Sequence, residues 1–382
     1  MIIPYSNENI LYSGRFLTPI IGMQSAWQGN LVRFRVIGTS TITLTCDIKT
    51  VADGAPCAIA SNIDNDIVTT SNNLANIGEV VTGERSVVIN LPDSNVHDVI
   101  FKLSANQPFN QIDGVPYIKL KSITINDGGQ ILPYPVGSTK VMCLGDSWMS
   151  AWNDWIRLMD TTKYNVYPIA YGGAKASDIN SYYPYQAGGI NKYGDGVFND
   201  VVICLGVNDY AGGISIASYK TSISSLIDKI RADQPQAIIY LLQAPRNVVN
   251  SKNFDQYGTA LQELSVSKIN TKYITTSSIW DSLTWQTDTY HLGSVGKQIF
   301  ADFVASQIEI SLPVLTTEGY IKLQLTNETL NIPYYNIESI DKNSLRIQAY
   351  DGIKCFRFVD ITDSSASPLR VQTLDGIKAI AI

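Results

Sequence analysis

The chain has only two histidines in 382 residues, His97 and His291, so any imidazole chemistry is confined to those positions. Charge is scarce too: Asp, Glu, Lys and Arg together make 16%, against about 25% in ordinary soluble proteins. The 28 basic and 34 acidic residues leave a net charge of −6. No basic run is long enough to follow a phosphate backbone, which argues against nucleic acid as a partner. Cys46, Cys57, Cys143, Cys204 and Cys355 are an odd number without a CxxC pair. They give neither a complete disulfide framework nor a zinc pattern. Cys143 and Cys204 lie inside apolar runs and read as small core residues. No apolar run reaches the roughly 18 residues of a transmembrane helix. Met1 to Tyr5 lacks the basic and apolar regions of a secretory signal. The reading is a protein off the membrane, with export by another route or assembly onto a virus particle left open.

In place of charge come Tyr, Ser, Thr and Asn, a neutral polar surface suited to β-rich proteins that handle sugars or work outside cells. Residues 1–134 alternate with period two: Val32, Phe34 and Val36 with Arg33 and Arg35, then Ile42, Leu44 and Cys46 with Thr. Val99, Phe101 and Leu103 flank Lys102, and Ile118 and Leu120 flank Lys119. Such runs, separated by Gly, Asn, Asp and Pro, predict a β-sandwich. Pro133 to Gly137 breaks the pattern as a linker. Over residues 138–312, short apolar runs (Lys140 to Leu144, Val201 to Leu205, Ala237 to Leu242, Lys272 to Thr276) alternate with helical stretches. Ile223, Leu226, Ile227 and Ile230 recur at helical spacing, and a last helix over Ser294 to Ile310 carries Val295, Ile299, Phe300, Phe303 and Val304 on one face. Strands alternating with helices predict an α/β layer with a parallel sheet. Residues 316–382 return to short strands and contain a repeat: Leu345 to Lys354 recurs as Leu369 to Lys378. Each copy reads strand, Asp-Gly turn, strand. It is a small β domain with duplicated hairpins or, alternatively, a module for attachment or homo-oligomerisation.

Four short motifs close apolar runs in the middle segment. Gly145-Asp146-Ser147-Trp148 follows Val141 to Leu144 and precedes a helical stretch from Met149 to Met159. A serine at a strand-to-helix turn projects from the carboxyl edge of the sheet, where α/β folds place their sites. Its amide can donate to an oxyanion, while a plain N-cap accounts for Asp146 or Ser147 equally well. Tyr171-Gly172-Gly173-Ala174 could bring a backbone N–H close to substrate. Gly206-Val207-Asn208-Asp209 places an amide side chain at a strand end, or a turn asparagine. In Asp288-Thr289-Tyr290-His291, a carboxylate three residues before a histidine can hold one ring nitrogen and leave the other facing the serine. With His97 in the sandwich segment, a histidine base of this segment can only be His291.

The ordered set resembles the SGNH (GDSL-type) hydrolases, whose blocks run Gly-Asp-Ser, Gly, Gly-x-Asn-Asp and Asp-x-x-His. The resemblance covers residues 138–312 and implies a three-layer SGNH/flavodoxin-like catalytic domain. It implies Ser147 as nucleophile, His291 as base, Asp288 as its orienting partner, and an oxyanion hole of the Ser147 amide, Gly173 and Asn208. The family's second block commonly has an Asn before its glycine and a Ser next to it; here Ala170-Tyr171-Gly172-Gly173 stands instead, so Gly172 and Gly173 both remain candidates. Tyr12 to Phe16, Ala26 to Asn30 and Gly38 to Ser40 are similar to the jelly-roll that precedes the catalytic domain in family two carbohydrate esterases. That implies acetyl release from an O-acetylated polysaccharide or oligosaccharide, without metal or organic cofactor. A lipase or thioesterase on longer acyl esters, and a glycan-binding adhesin with a vestigial hydrolase segment, are the alternatives. The Asp-Gly-Ile-Lys endings resemble small modules of phage tail proteins, which implies virion assembly through the C-terminal domain.

Overall fold

A computed structural model describes residues 1–14, 16–17, 22–25, 30–50, 57–64, 70–76, 79–104, 117–150, 155–181, 183, 197–244, 255–286, 291–308 and the strands between 319 and 380. These residues fall into two compact units, Met1–Leu312 and Pro313–Ile382.

The first unit opens with twelve strands: β1 (Ile2–Pro4), β2 (Leu11–Ser13), β3 (Phe16–Leu17), β4 (Met23–Ser25), β5 (Asn30–Ile37), β6 (Thr41–Lys49), β7 (Cys57–Ile63), β8 (Thr70–Ala75), β9 (Thr82–Asn90), β10 (His97–Ser104), β11 (Tyr117–Ile125) and β12 (Gln130–Leu132). They form two sheets, β3-β4-β11-β6-β9 with β1 on β11, and β12-β5-β10-β7-β8 with β2 on β5. Their inner faces supply one core, in which Val32, Phe34, Val36, Ile42, Leu44, Cys46, Val99, Phe101, Ile118 and Leu120 are buried together. Period two therefore reads the inner face correctly.

The outer face of β5 and β10 is buried as well, against the α/β layer. Leu31 and Ile100 belong to the α/β core, and Arg33 and Lys102 are 1% and 6% exposed. Arg33 donates to Ser13 Oγ, to Asn165 Oδ1 (2.7 Å) and to the Val166 carbonyl (3.3 Å). Its guanidinium lies 5.6 Å from the Tyr134 ring centroid. The linker is pinned in the same place: Tyr134 is buried, and the Gly137 amide donates to the Thr161 carbonyl.

The α/β layer is a parallel sheet of β13 (Thr139–Gly145), β14 (Tyr164–Ala170), β15 (Asp200–Cys204), β16 (Ile238–Leu242) and β17 (Thr271–Ile274), in the order β14-β13-β15-β16-β17. In chain order this is 2-1-3-4-5, the doubly wound arrangement whose ligand site lies at the carboxyl ends of its first and third strands. Gly145 is in register with Ala170 on one side and Cys204 on the other, so three strands end in one row. Gly145 is required there by close approach: a Cβ would sit 2.8 Å from the Cys204 carbonyl oxygen and 2.8 Å from Met149 Cγ.

Helices among the described residues include α1 (Val207–Ala211), α2 (Ile216–Asp233), α3 (Asp255–Ser267) and α4 (Ser294–Gln307), and residues 176–181 are helical as well. Ser215 caps α2 by accepting from the Ser218 amide, and Tyr219, Ile223, Leu226, Ile227 and Ile230 are its buried face. On α4 the buried residues are Gly296, Phe300, Ala301 and Val304. Val295, expected on that face, is 56% exposed, because the stripe is centred on Phe300 and Val304. The helix expected from Met149 to Met159 is, in its described part, a turn at 147–149 and a 3-10 helix at Trp155–Leu158.

The second unit holds the hairpin β18 (Gly319–Gln324) with β19 (Thr329–Tyr334), and an antiparallel sheet of β20 (Asn336–Ile340), β21 (Ser344–Ala349), β22 (Gly352–Arg357), β23 (Leu369–Thr373) and β24 (Gly376–Ile380) in chain order. Each repeat forms one hairpin, closed by Ala349↔Gly352 and Thr373↔Gly376. The glycine of each Asp-Gly pair is thus the first paired residue of its return strand. The residues between the closing pairs lie outside those described.

Candidate active site

Ser147 stands two residues beyond the row where β13, β14 and β15 end. The Asp146 carbonyl accepts from the amides of Met149 (3.0 Å) and Ser150 (3.1 Å), winding a single turn around the serine. In such a turn the Ser147 amide has no partner within the turn and is left to donate outward. Trp148 fixes the turn from beneath: it is 1% exposed and meets Trp285 and Phe300 edge to face at 5.8 and 6.1 Å.

Trp285 in turn carries the histidine. It bridges to Leu292, and the Gln286 amide donates to the His291 carbonyl at 2.7 Å. Thr284 adds two contacts, accepting at its carbonyl from Gly293 (2.8 Å) and at Oγ1 from Gly296 (2.8 Å). His291 Nε2 comes to 3.0 Å from Ser147 Oγ, across 144 residues of chain. That separation is hydrogen-bond range for a base and the hydroxyl it deprotonates. Asp288 lies outside the described residues.

Asn208 enters from the end of β15. Gly206, at φ 125°, turns the chain from strand into α1 in a conformation that favours glycine. Asn208 Nδ2 donates to Asp146 Oδ2 (3.1 Å) and to the Ala174 carbonyl (3.0 Å), so both of its amide hydrogens have protein acceptors. The glycine turn hangs from β14: the Tyr171 amide donates to the Gly145 carbonyl at 3.1 Å. Gly173 is exposed with φ 83°, whereas Gly172 is half-buried. The fold thus gathers Ser147, His291, Asn208 and the Gly172-Gly173 turn at one sheet edge.

Two carboxylates tie these parts together; motif reading offered Asp146 only as an N-cap and gave Asp209 no task. Asp146 is fully buried; its Oδ1 accepts from the Trp148 amide at 2.9 Å and its Oδ2 from Asn208. Burial pushes its carboxyl up to about 7; the Trp148 hydrogen bond opposes this and the charge of Asp209 adds to it. Asp209 is 1% exposed and accepts from the Ala176 amide at 3.0 Å, anchoring the far end of the glycine turn to α1. Burial pushes it up to about 6. Their signal in the sequence was an Asp beside each polar site residue, which an ordinary turn also shows.

Trp148 and Tyr183 are buried, and Tyr210 is half-buried edge to face with Tyr257 at 6.2 Å. Tyr182 lies outside the described residues. Burial raises the thiols of Cys143 and Cys204, both in the core. Among the described residues no cluster of three or more His, Cys, Asp or Glu side chains is placed to hold a metal ion, and no helix is long and apolar enough to cross a membrane.

No family model matches the sequence, and no curated protein matches it. Solved structures do. A family two carbohydrate esterase from Clostridium thermocellum, in complex with cellohexaose, matches with a TM-score of 0.59 at 17% identity, over 78% of this chain and 98% of that one. An acetyl xylan esterase from the rumen bacterium Butyrivibrio proteoclasticus matches with a TM-score of 0.60 at 13% identity, over 80% and 97%. A salicylyl-acyltransferase from a tetracycline biosynthetic pathway matches with a TM-score of 0.56 at 10% identity, over 80% and 95%. At these identities the likeness is one of architecture, and the fold of this chain is that of the family two carbohydrate esterases.

Proposed function

We propose that the chain is a serine esterase that removes O-acetyl groups from a polysaccharide or oligosaccharide. The observation that carries this reading is the 3.0 Å approach of His291 Nε2 to Ser147 Oγ at the carboxyl edge of the sheet. In the reaction His291 takes the Ser147 proton as Oγ attacks the ester carbonyl. Collapse of the tetrahedral intermediate expels the sugar hydroxyl, protonated by His291, and leaves acetyl on Ser147. Water, deprotonated by the same imidazole, then releases acetate. The oxyanion takes hydrogen bonds from the Ser147 amide, the glycine turn and Asn208, with Gly173 as the turn's donor and Gly172 the alternative. At Asn208 it shares or replaces the Ala174 carbonyl as acceptor. Asp288, three residues before His291, orients the imidazole and stabilises its protonated form.

The carbohydrate half of the proposal rests on the fold, shared with esterases that include one in complex with cellohexaose and one called an acetyl xylan esterase. Acetate release from acetylated xylan, glucomannan, pectin and bacterial O-antigens tests it. At least one polymer should be deacetylated by the unmodified chain and by none of its Ser147→Ala preparations. Release confined to octanoyl or longer esters would assign a lipase or thioesterase instead. A second reading has its own observation in the fold shared with a salicylyl-acyltransferase: the same acyl-enzyme would be resolved by an acceptor hydroxyl rather than by water. Ester product accumulating in place of free acid, when an acceptor alcohol is supplied, would favour it.

A further inference from the structure

The residue before the nucleophile is an expensive one to bury. Asp146 has no exposed surface, and its carboxyl is pushed up to about 7. An asparagine would fill the same volume without the cost of desolvating a charge. What asparagine cannot do is accept on both terminal atoms. A carboxylate is acceptor-only, whereas an amide offers one acceptor and one donor. Asp146 meets two donors, the Trp148 amide at Oδ1 (2.9 Å) and Asn208 Nδ2 at Oδ2 (3.1 Å). The first holds the turn that carries Ser147. The second fixes which end of the Asn208 amide faces the site, because the flipped amide would set its oxygen against both the carboxylate and the Ala174 carbonyl.

We propose that Asp146 is a positioning residue, a two-acceptor clamp that ties the Ser147 turn to Asn208: it holds one N–H of the Asn208 amide, so that the other, which the Ala174 carbonyl accepts, is the one presented to the oxyanion. This rests on the esterase reading above and adds a residue to it. Asp146 touches no reacting atom; it acts through Asn208. Of the two acceptors on Asn208, Asp146 is the one also bound to the Ser147 turn, through the Trp148 amide. The Ala174 carbonyl, in the glycine turn, is the one exchanged for the oxyanion.

A double-mutant cycle on the full chain tests the clamp, with p-nitrophenyl acetate as substrate and thermal unfolding to confirm folding. Asp146→Asn should lower kcat by about 10², the loss expected for one oxyanion donor, with KM little changed. In an Asn208→Ala background the same change should cost less than about threefold, because the residue it acts through is gone. Equal losses in both backgrounds, or full kcat in Asp146→Asn, would overturn the proposal. Should Asp146→Asn not fold, Asp146→Ser keeps an acceptor for one donor and enters the same cycle, where an additive loss again overturns it. Absence of Ser147-dependent hydrolysis in the unmodified chain would be a different result: it removes the esterase reading, and the clamp with it.

Discussion

Ser147 and His291 approach to hydrogen-bonding distance, but they do not carry equal shares of the expected rate. Loss of the nucleophile of a triad costs roughly 10⁶ in kcat, while loss of one oxyanion donor costs about 10²–10³. Ser147→Ala should therefore abolish measurable turnover of p-nitrophenyl acetate, and Asn208→Ala should leave a readable remainder at nearly unchanged KM. Equal loss in the two variants would mean that Asn208 holds the site together rather than stabilising charge. At this scale much was legible. Ser147, Asn208 and His291 each follow or precede a readable element, and with His97 in the sandwich only His291 was left for the α/β layer. The tasks of Asp146 and Asp209 were not legible, since an Asp next to a turn looks the same whether it caps the turn or spans to another strand. The burial of Trp148 was not legible either, because sequence does not show that Trp285 and Phe300 close over it.

At the scale of elements, alternation told which side of β5 faces the sandwich core and said nothing of what covers the other side. Arg33 shows the consequence: it looked like a solvent-facing residue and instead joins β5 to β14 through Asn165 and Val166. Arg33→Ala should leave those acceptors unpaired and open a cavity, destabilising the first unit by about 2–4 kcal/mol in urea unfolding. An unchanged midpoint would mean the contact contributes nothing. His97 joins two loops of the sandwich, with Nδ1 2.7 Å from Asp64 Oδ2 and Nε2 3.0 Å from Asp93 Oδ1. Burial by itself would lower its pKa, but the two carboxylates outweigh burial and the value is raised. A raised imidazole stabilises the fold fully below its unfolded value of about 6.5, and that contribution fades as pH rises through the folded value. The Tm gap between the unmodified chain and His97→Gln should accordingly be widest in mildly acidic buffer and shrink in alkaline buffer. A gap independent of pH would exclude a charged His97.

For the molecule as a whole, the sandwich and the α/β layer share one compact unit, while the repeat-bearing strands form another. Among the described side chains, the two apolar cores lie within Met1–Leu312. A chain ending at Leu312 should hydrolyse p-nitrophenyl acetate with unchanged kcat and KM. If the C-terminal module serves attachment or oligomerisation, as its duplicated hairpins allow, light scattering of the full chain should show an assembly that the shortened chain lacks. Equal masses would remove that role. The central claim is that folding joins a nucleophile and a base 144 residues apart, and covalent labelling tests it most directly. Incubation with diisopropyl fluorophosphate, followed by intact-mass and peptide mass spectrometry, should give one adduct per chain, located on Ser147. The adduct should be absent from Ser147→Ala and from urea-unfolded protein, and slow to form in His291→Ala. An adduct on another residue, or labelling of Ser147 at the same rate without His291, would contradict the account.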